Sequence, residues 1–300
     1  MRQDKAYKLN NRRISEMERN LLEVYSKASR ELQSEWEAYM SRNKPKVDEL
    51  YKAYQAALLS GDRETIKATK KAYQDKLASV TYKNSHYRAK VNELTTKLSN
   101  INKEAVKYVN GNVPYLASNG YNQIKEDIDT KMIPGIRWDI VNEDTVRIAM
   151  KGNVKLPEKR LDIPKDKRWN KKQMNAQLLQ GILQGEDIPT IAKRLQKVTD
   201  MNRASAIRNA RTMVTYAENA GRQASYNRAA DNGIIINKVW ETANDDKVRD
   251  EHMRLEGEEV PYNEDFSIGY DFPGKEFNCR CTMYSHIVGF RRADGSISYV

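Results

Sequence analysis

Toward the C-terminal end of this 300-residue chain, an imidazole, two thiols and a pair of carboxylates fall in a tight order. The run reads Trp240-Glu241-Thr242, Asp245-Asp246, Val248-Arg249, His252, Leu255, Gly257, Pro273 and Asn278-Cys279-Arg280-Cys281. Cys279 and Cys281 are the chain's two cysteines, and His252 is one of its three histidines. Residues two apart in extended chain point to the same side, so both thiols share one face. Two thiolates, one imidazole and one carboxylate would satisfy a tetrahedral zinc ion. The expected metal set is therefore Asp245, Asp246, His252, Cys279 and Cys281, holding a structural zinc, with Arg249, Asn278 and Arg280 as a surrounding polar cluster. The thiol spacing is tighter than the usual Cys-x-x-Cys knuckle. The competing reading makes both cysteines reduced core residues and gives His252 a carboxylate hydrogen bond. A disulfide is excluded, since an i,i+2 bridge is strained and closes almost no loop. A catalytic reading needs a nucleophile, a base and an open position; Cys279 with His252 can be drawn as a thiol–imidazole pair, but Arg280 and the second thiol beside it give it no sharper support, so no catalytic residues are assigned.

The elements that must position these groups are mostly helical. Ile14, Met17, Leu21, Tyr25, Ala28, Leu32, Trp36 and Tyr39 form a helical stripe, which Val47, Leu50, Tyr54 and Leu58 continue beyond Pro45. Ser60-Gly61-Asp62 ends that piece, with Asp62 as the next N-cap. From Tyr73 through Leu77, Val80, Asn84, Tyr87, Val91, Leu94, Leu98 and Ile101 to Tyr108, apolar residues alternate steps of four and three. That is a coiled-coil seam with Asn84 as its polar member, on a predicted helix from Asp62 to Val109 roughly 70 Å long. Its partner is the upstream region folded back as a hairpin, or a second copy. Asn110-Gly111-Asn112-Val113-Pro114 is expected to break the helix and divide a helical region, 1–110, from a second domain, 111–300. Two β-prone pieces follow, Ile136–Val141 and Thr145–Met150, and Pro157 and Pro164 bound an extended link.

Residues 169–232 read as three helices. The first closes at Gly185; Asp187 caps the second; an alanine-rich third runs from about Asn202 to Ala230 and stops at Asn232-Gly233. Lys193, Arg194 and Lys197 give the second helix a superficial helix-turn-helix look, although a Gly-containing turn between helices is commonplace. Ile234-Ile235-Ile236 then switches the chain into strand, opening a β-rich part over 233–300. The expected fold is α+β, mostly α: a long N-terminal helical hairpin or coiled coil, then a helical and small β module.

Charge is uneven over these parts. Residues 1–110 carry 23 basic and 14 acidic side chains, 111–240 carry 22 and 14, and 241–300 carry 7 and 13, for a net +11. A basic body with an acidic end fits contact with nucleic acid or an acidic protein surface, or else a solvated helical surface in which Lys and Arg alternate with Glu. No apolar run reaches the ~20 residues of a membrane span, and no signal-like segment opens the chain, so a cytosolic protein is expected.

Taken together, Arg211-Thr212, Trp240-Glu241-Thr242, Asp245-Asp246-Lys247-Val248-Arg249, His252, Leu255-Glu256-Gly257, Val260, Phe266, Pro273 and Asn278-Cys279-Arg280-Cys281 resemble the tailed-phage minor head protein, or head morphogenesis, family related to the Mu F protein. The resemblance covers roughly residues 170–285 and leaves the N-terminal helices outside it. It implies a head component present in few copies per virion, made in the host cytoplasm. It implies association with the portal and with capsid or scaffold proteins and a part in assembly or DNA delivery; non-specific contact with packaged DNA is expected from the basic surface, and oligomerisation from the coiled-coil stripe. Most members have no established enzymatic activity; some relatives carry a fused ADP-ribosyltransferase domain, and nothing before residue 110 looks like one. Where members often place an acid after Arg-Thr, this chain has Met213. The alternative from another class is a metal-dependent, nuclease-like hydrolase using Asp245, Asp246, His252 and the thiols.

Overall fold

The computed structural model describes residues 3–42, 44–81, 83–130, 165–292 and 294–300. The predicted β pieces at 136–141 and 145–150 and the link between Pro157 and Pro164 lie outside them. The fold is α+β and mostly α, as expected. The long helices are α1 (Gln3–Ser41), α2 (Lys44–Ser60), α3 (Arg63–Val80), α4 (Ser85–Thr130), α5 (Lys167–Gln184) and α6 (Ile188–Asp231). After them come β1 (Ile234–Glu241), a single turn α7 (Asp250–Met253), β2 (Glu259–Pro261), β3 (Thr282–Arg291) and β4 (Ile297–Tyr299). The chain divides into two compact units. One comprises Met1–Arg19, Val106–Asp162 and Ile207–Val300, and the other Asn20–Ala105 and Ile163–Ala206. The division therefore interleaves the sequence instead of cutting it at residue 110.

In the Asn20–Ala105 and Ile163–Ala206 unit, the predicted stripe of α1 is buried at Leu21, Tyr25, Ala28, Leu32 and Trp36. It runs antiparallel to α4 within the same chain: the Tyr25 hydroxyl donates to Asn102 (2.7 Å), Lys90 pairs with Glu35 (3.0 Å), and the Trp36 ring meets Tyr87 edge-on. Asp62 caps α3 as its spacing foretold, accepting from the Glu64 and Thr65 amides. A ladder of buried amides joins three helices, α4, α5 and α6. Asn102 donates to Asn202 (2.7 Å), and Asn202 donates to Asn170 (2.8 Å) and to the Val198 carbonyl (2.7 Å). Because its members partner one another, burying them avoids the cost of stripping amides of water.

Three expectations about the helices fail. The helix drawn from Asp62 to Val109 is two helices: α3 stops at Val80, and the Asn84 side chain accepts from the His86 amide to open α4. Asn84 is thus a cap, the position asparagine favours, and not a seam residue. Residues 110–114 continue α4 instead of ending it. Val109, Val113, Leu116 and Ala117 are all buried, and burial worth about 2 kcal/mol per large apolar side chain outweighs the ~3 kcal/mol of an internal proline. The second and third helices of 169–232 are one, α6. Asn202 bonds back to Val198, and the Thr199 hydroxyl donates to the Gln196 carbonyl, so neither frees the backbone to break.

In the other unit, α4 and α6 cross where each has a glycine. A Cβ on Gly120 would overlap the Glu218 carbonyl, and one on Gly221 would overlap the Ala117 carbonyl. Gly233, at φ +82°, closes α6 in a conformation that suits glycine, and the β-branched run then enters β1. The antiparallel sheet has the order β2-β1-β3-β4. β1 and β3 pair from Ile234–Phe290 to Glu241–Thr282, with an irregularity between Ile235 and Ile236. Trp240, Phe266, Met283 and Ile287 lie in the core against α6. Among the described residues no helix is long and apolar enough to cross a membrane.

Candidate functional site at the Cys279-Arg280-Cys281 segment

The site is assembled by one helix, one strand and the segment entering another. β1 carries Trp240, whose ring meets His252 edge-on at 5.5 Å and Phe266 at 5.0 Å. α7 supplies His252, buried at 2% exposure. Asn278 turns the chain at φ +61°, a left-handed corner, and its amide donates to the Thr212 hydroxyl (2.8 Å). From that corner Cys279 and Cys281 both turn inward and are buried, while Arg280 turns out.

One face of α6 holds this segment. Thr215 donates to the Cys279 carbonyl (2.9 Å), and the Asn219 amide donates to the carbonyls of Pro273 and Cys281 (both 3.2 Å). Arg222 donates to Asn219 (2.7 Å), Thr282 (2.6 Å) and Gln123 (2.6 Å). Behind it stands Glu218, paired with Arg13 (2.6 Å) and 3.6 Å from Arg222. Burial pushes the Glu218 carboxyl upward against the pull of Arg222 and Arg13. Positions 215, 219 and 222 follow helical spacing, so one buried stripe fixes the carbonyls around both thiols.

Both sulfurs approach the same imidazole nitrogen, Cys279 Sγ at 3.7 Å and Cys281 Sγ at 3.6 Å from His252 Nδ1. The Cys281 amide donates to Cys279 Sγ (3.4 Å). Hydrogen bonding from the Cys281 thiol, aided by His252, holds Cys279 well below an ordinary thiol against the opposing effect of burial. The same contact, with burial, pushes Cys281 up. His252 is raised, first by its hydrogen bond with Cys279. Nε2 of His252 is buried without a hydrogen bond and lies 3.5 Å from Glu276, which also pairs with Arg249 (3.1 Å).

The sequence of residues 172–284 matches the family described as Phage Mu protein F like protein. Over this segment, 113 of the chain's 300 residues, the chain is similar to that family. Among its relatives, Minor head protein GP7 of Bacillus phage SPP1 is 31% identical over 122 residues, 37% of this chain and 39% of the relative. The protein named NAD(+)--arginine ADP-ribosyltransferase EFV of Enterococcus faecalis is 25% identical over 276 residues, 86% of this chain. The chain spans 55% of that relative's length, so it covers about half or less of each. No solved structure matches it at a significant level.

Within the Mu F-like segment the structure gathers some of the expected site and disperses the rest. His252, Cys279 and Cys281 converge. Asp245 and Asp246 do not join them. Asp245 takes a two-pronged ion pair from Arg280 (2.8 and 2.5 Å), which holds its carboxyl below the usual range, and Asp246 is exposed. An oppositely charged fork, Arg280, sitting between the two cysteines in sequence, captured the carboxylate first. The hydrolase alternative loses its carboxylate pair by the same finding. Of the expected polar cluster, Arg249 donates to the Phe277 carbonyl (2.7 Å) and Asn278 forms the corner. Gly257 (φ +75°) donates its amide to the Trp240 carbonyl, and Pro273 supplies the carbonyl bound by Asn219. Met213 is buried. Arg194, part of the helix-turn-helix resemblance, is tied to Glu186 and Gln184. Sequence reasoning missed Thr215, Asn219, Arg222 and Glu276; the first three were detectable as a polar stripe on an alanine-rich helix.

Proposed function

We propose that this chain is a minor structural protein of a phage head that acts in head morphogenesis. The observation that carries this is the Mu F-like match over 172–284, together with the similarity to a minor head protein of a tailed phage. The geometry suits such a role. The segment is a rigid knob, clamped by the buried polar face of α6 and closed by the Trp240–His252–Phe266 ring cluster. Its partners are the portal and the capsid or scaffold proteins, and its location is the virion head, with the host cytoplasm during assembly.

The basic charge of residues 1–240 adds a second contact, with the phosphates of packaged DNA. Such contact is independent of sequence and weakens steeply with salt. The ADP-ribosyl transfer named for the Enterococcus relative is not carried over, since this chain spans 55% of that protein.

Co-expression with the portal, scaffold and major capsid proteins of the same virus tests the reading. The chain is expected to sediment with assembled heads and to bind the isolated portal or capsid protein. Sedimentation as free protein in the presence of complete heads, with no binding to either component, would refute it. Duplex DNA of arbitrary sequence is expected to be released between low and moderate salt.

A further inference from the structure

We infer that His252, Cys279 and Cys281 form a buried centre for a soft divalent cation, zinc in the cell, with His252 bound through Nδ1. The separations carry the inference. Zinc bonds of about 2.3 Å to sulfur and about 2.0–2.1 Å to nitrogen, at a tetrahedral angle, put S and N about 3.5–3.6 Å apart. The two observed separations are 3.7 and 3.6 Å, both to the same nitrogen. An imidazole nitrogen has one proton to give or one lone pair to offer, so hydrogen bonding serves one sulfur well and both only through a weaker three-centre contact. A shared cation accounts for both. The three donor atoms lie within 4.8 Å of one another, and all three residues are buried.

The surroundings are those of a metal's outer shell. Nε2 of His252, the ring nitrogen left free by the proposed bond, lies 3.5 Å from Glu276, a carboxylate placed to accept its N–H and so fix the tautomer. The Cys281 amide supports the Cys279 sulfur, and Trp240 and Phe266 wall the centre off with aromatic rings. Among the described residues no fourth His, Cys, Asp or Glu joins this group, so the remaining tetrahedral position falls to water. Binding converts both thiols to thiolates and the imidazole to its neutral form, and the protons leave to solvent. Because α7 and the Cys279–Cys281 segment are far apart in sequence, the cation would tie them in the way a cross-link does. This goes beyond the head-assembly reading and does not depend on it.

The test is Co²⁺ titration of the full chain, stripped of metal with a chelator and kept reduced, read by absorbance. Expected are saturation at about one cobalt per chain, thiolate-to-cobalt charge-transfer bands in the near ultraviolet, and visible bands of tetrahedral strength. Zinc should displace the cobalt. Cys279→Ser and Cys281→Ser should each remove much of the charge-transfer intensity. Asp245→Asn and Asp246→Asn should leave the spectrum unchanged, while Glu276→Gln should keep the stoichiometry and weaken affinity on the order of 10-fold. A wild-type chain that gives no charge-transfer band overturns the centre even if every variant misfolds. A band that keeps its full intensity after loss of either cysteine, or disappears with Asp245, overturns this ligand set. None of these outcomes bears on whether the chain enters heads.

Discussion

Asn219 is the side chain on which the Cys279–Cys281 segment depends most directly. It donates to two carbonyls of that region and accepts from Arg222. Asn219→Leu keeps the approximate volume but strands those partners in a buried setting, and is expected to cost about 3 kcal/mol in urea unfolding. A loss under about 0.5 kcal/mol would mean that the stripe is not what holds the segment. A second residue-scale test uses Lys238, buried on β1, where burial pushes the ammonium down to about 8. It donates to the Asp271 carbonyl (2.6 Å) and lies over Phe266, with Asp271, Asp265 and Lys275 as the neighbouring charges. Between that value and the unfolded lysine value near 10.4, the unfolded chain holds a proton that the folded one has released, so stability rises with pH. Relative to Lys238→Met, the wild type is expected to gain stability as pH rises from 7.5 to 10. A difference that does not change with pH would contradict this.

The same scale shows what could be read from letters alone. The inward pair Cys279 and Cys281 followed from a spacing of two, and His252 from the scarcity of other candidates. Asp245 was misread because adjacency in sequence suggests a ligand, whereas Arg280 competes for it in space. Glu276 went unnoticed because it is one acid among many in an acidic stretch, and only coordinates reveal its approach to Nε2.

At the scale of elements, glycines give predictions of opposite sign on the same helix pair. Gly120 and Gly221 sit where α4 and α6 backbones touch, so Gly120→Ala or Gly221→Ala forces the helices apart, an expected cost of about 3 kcal/mol. Gly111, also in α4, meets nothing within 4 Å, so Gly111→Ala is expected to stabilise by about 0.5–1 kcal/mol. Thermal unfolding of the three variants checks both; equal effects at all three sites would show that the crossing is not close-packed. Helix identity and the Asp62 cap were legible because periodicity and capping are local. The continuation through Asn110–Pro114 was not, because the burial of Val113, Leu116 and Ala117 that overrides the break signals is tertiary. Asn84 fitted the seam and a cap equally well in sequence, and the His86 amide decided between them.

At the scale of the molecule, the fold class could be read from the sequence and the interleaving of the two units could not. Nothing in a linear pattern tells that residues 1–19 join 207–300; the part-buried Arg13–Glu218 pair that expresses this spans more than two hundred positions. The functional reading is carried by the 172–284 segment, and the α6 clamp explains how that segment keeps one shape. The most direct measurement of the proposed role is quantitative mass spectrometry of gradient-purified heads from a phage or induced prophage that carries the gene for this chain. The chain is expected in the heads, in far fewer copies than the major capsid protein. Heads that are complete yet lack it, with the protein confined to the free lysate fraction, would contradict the account.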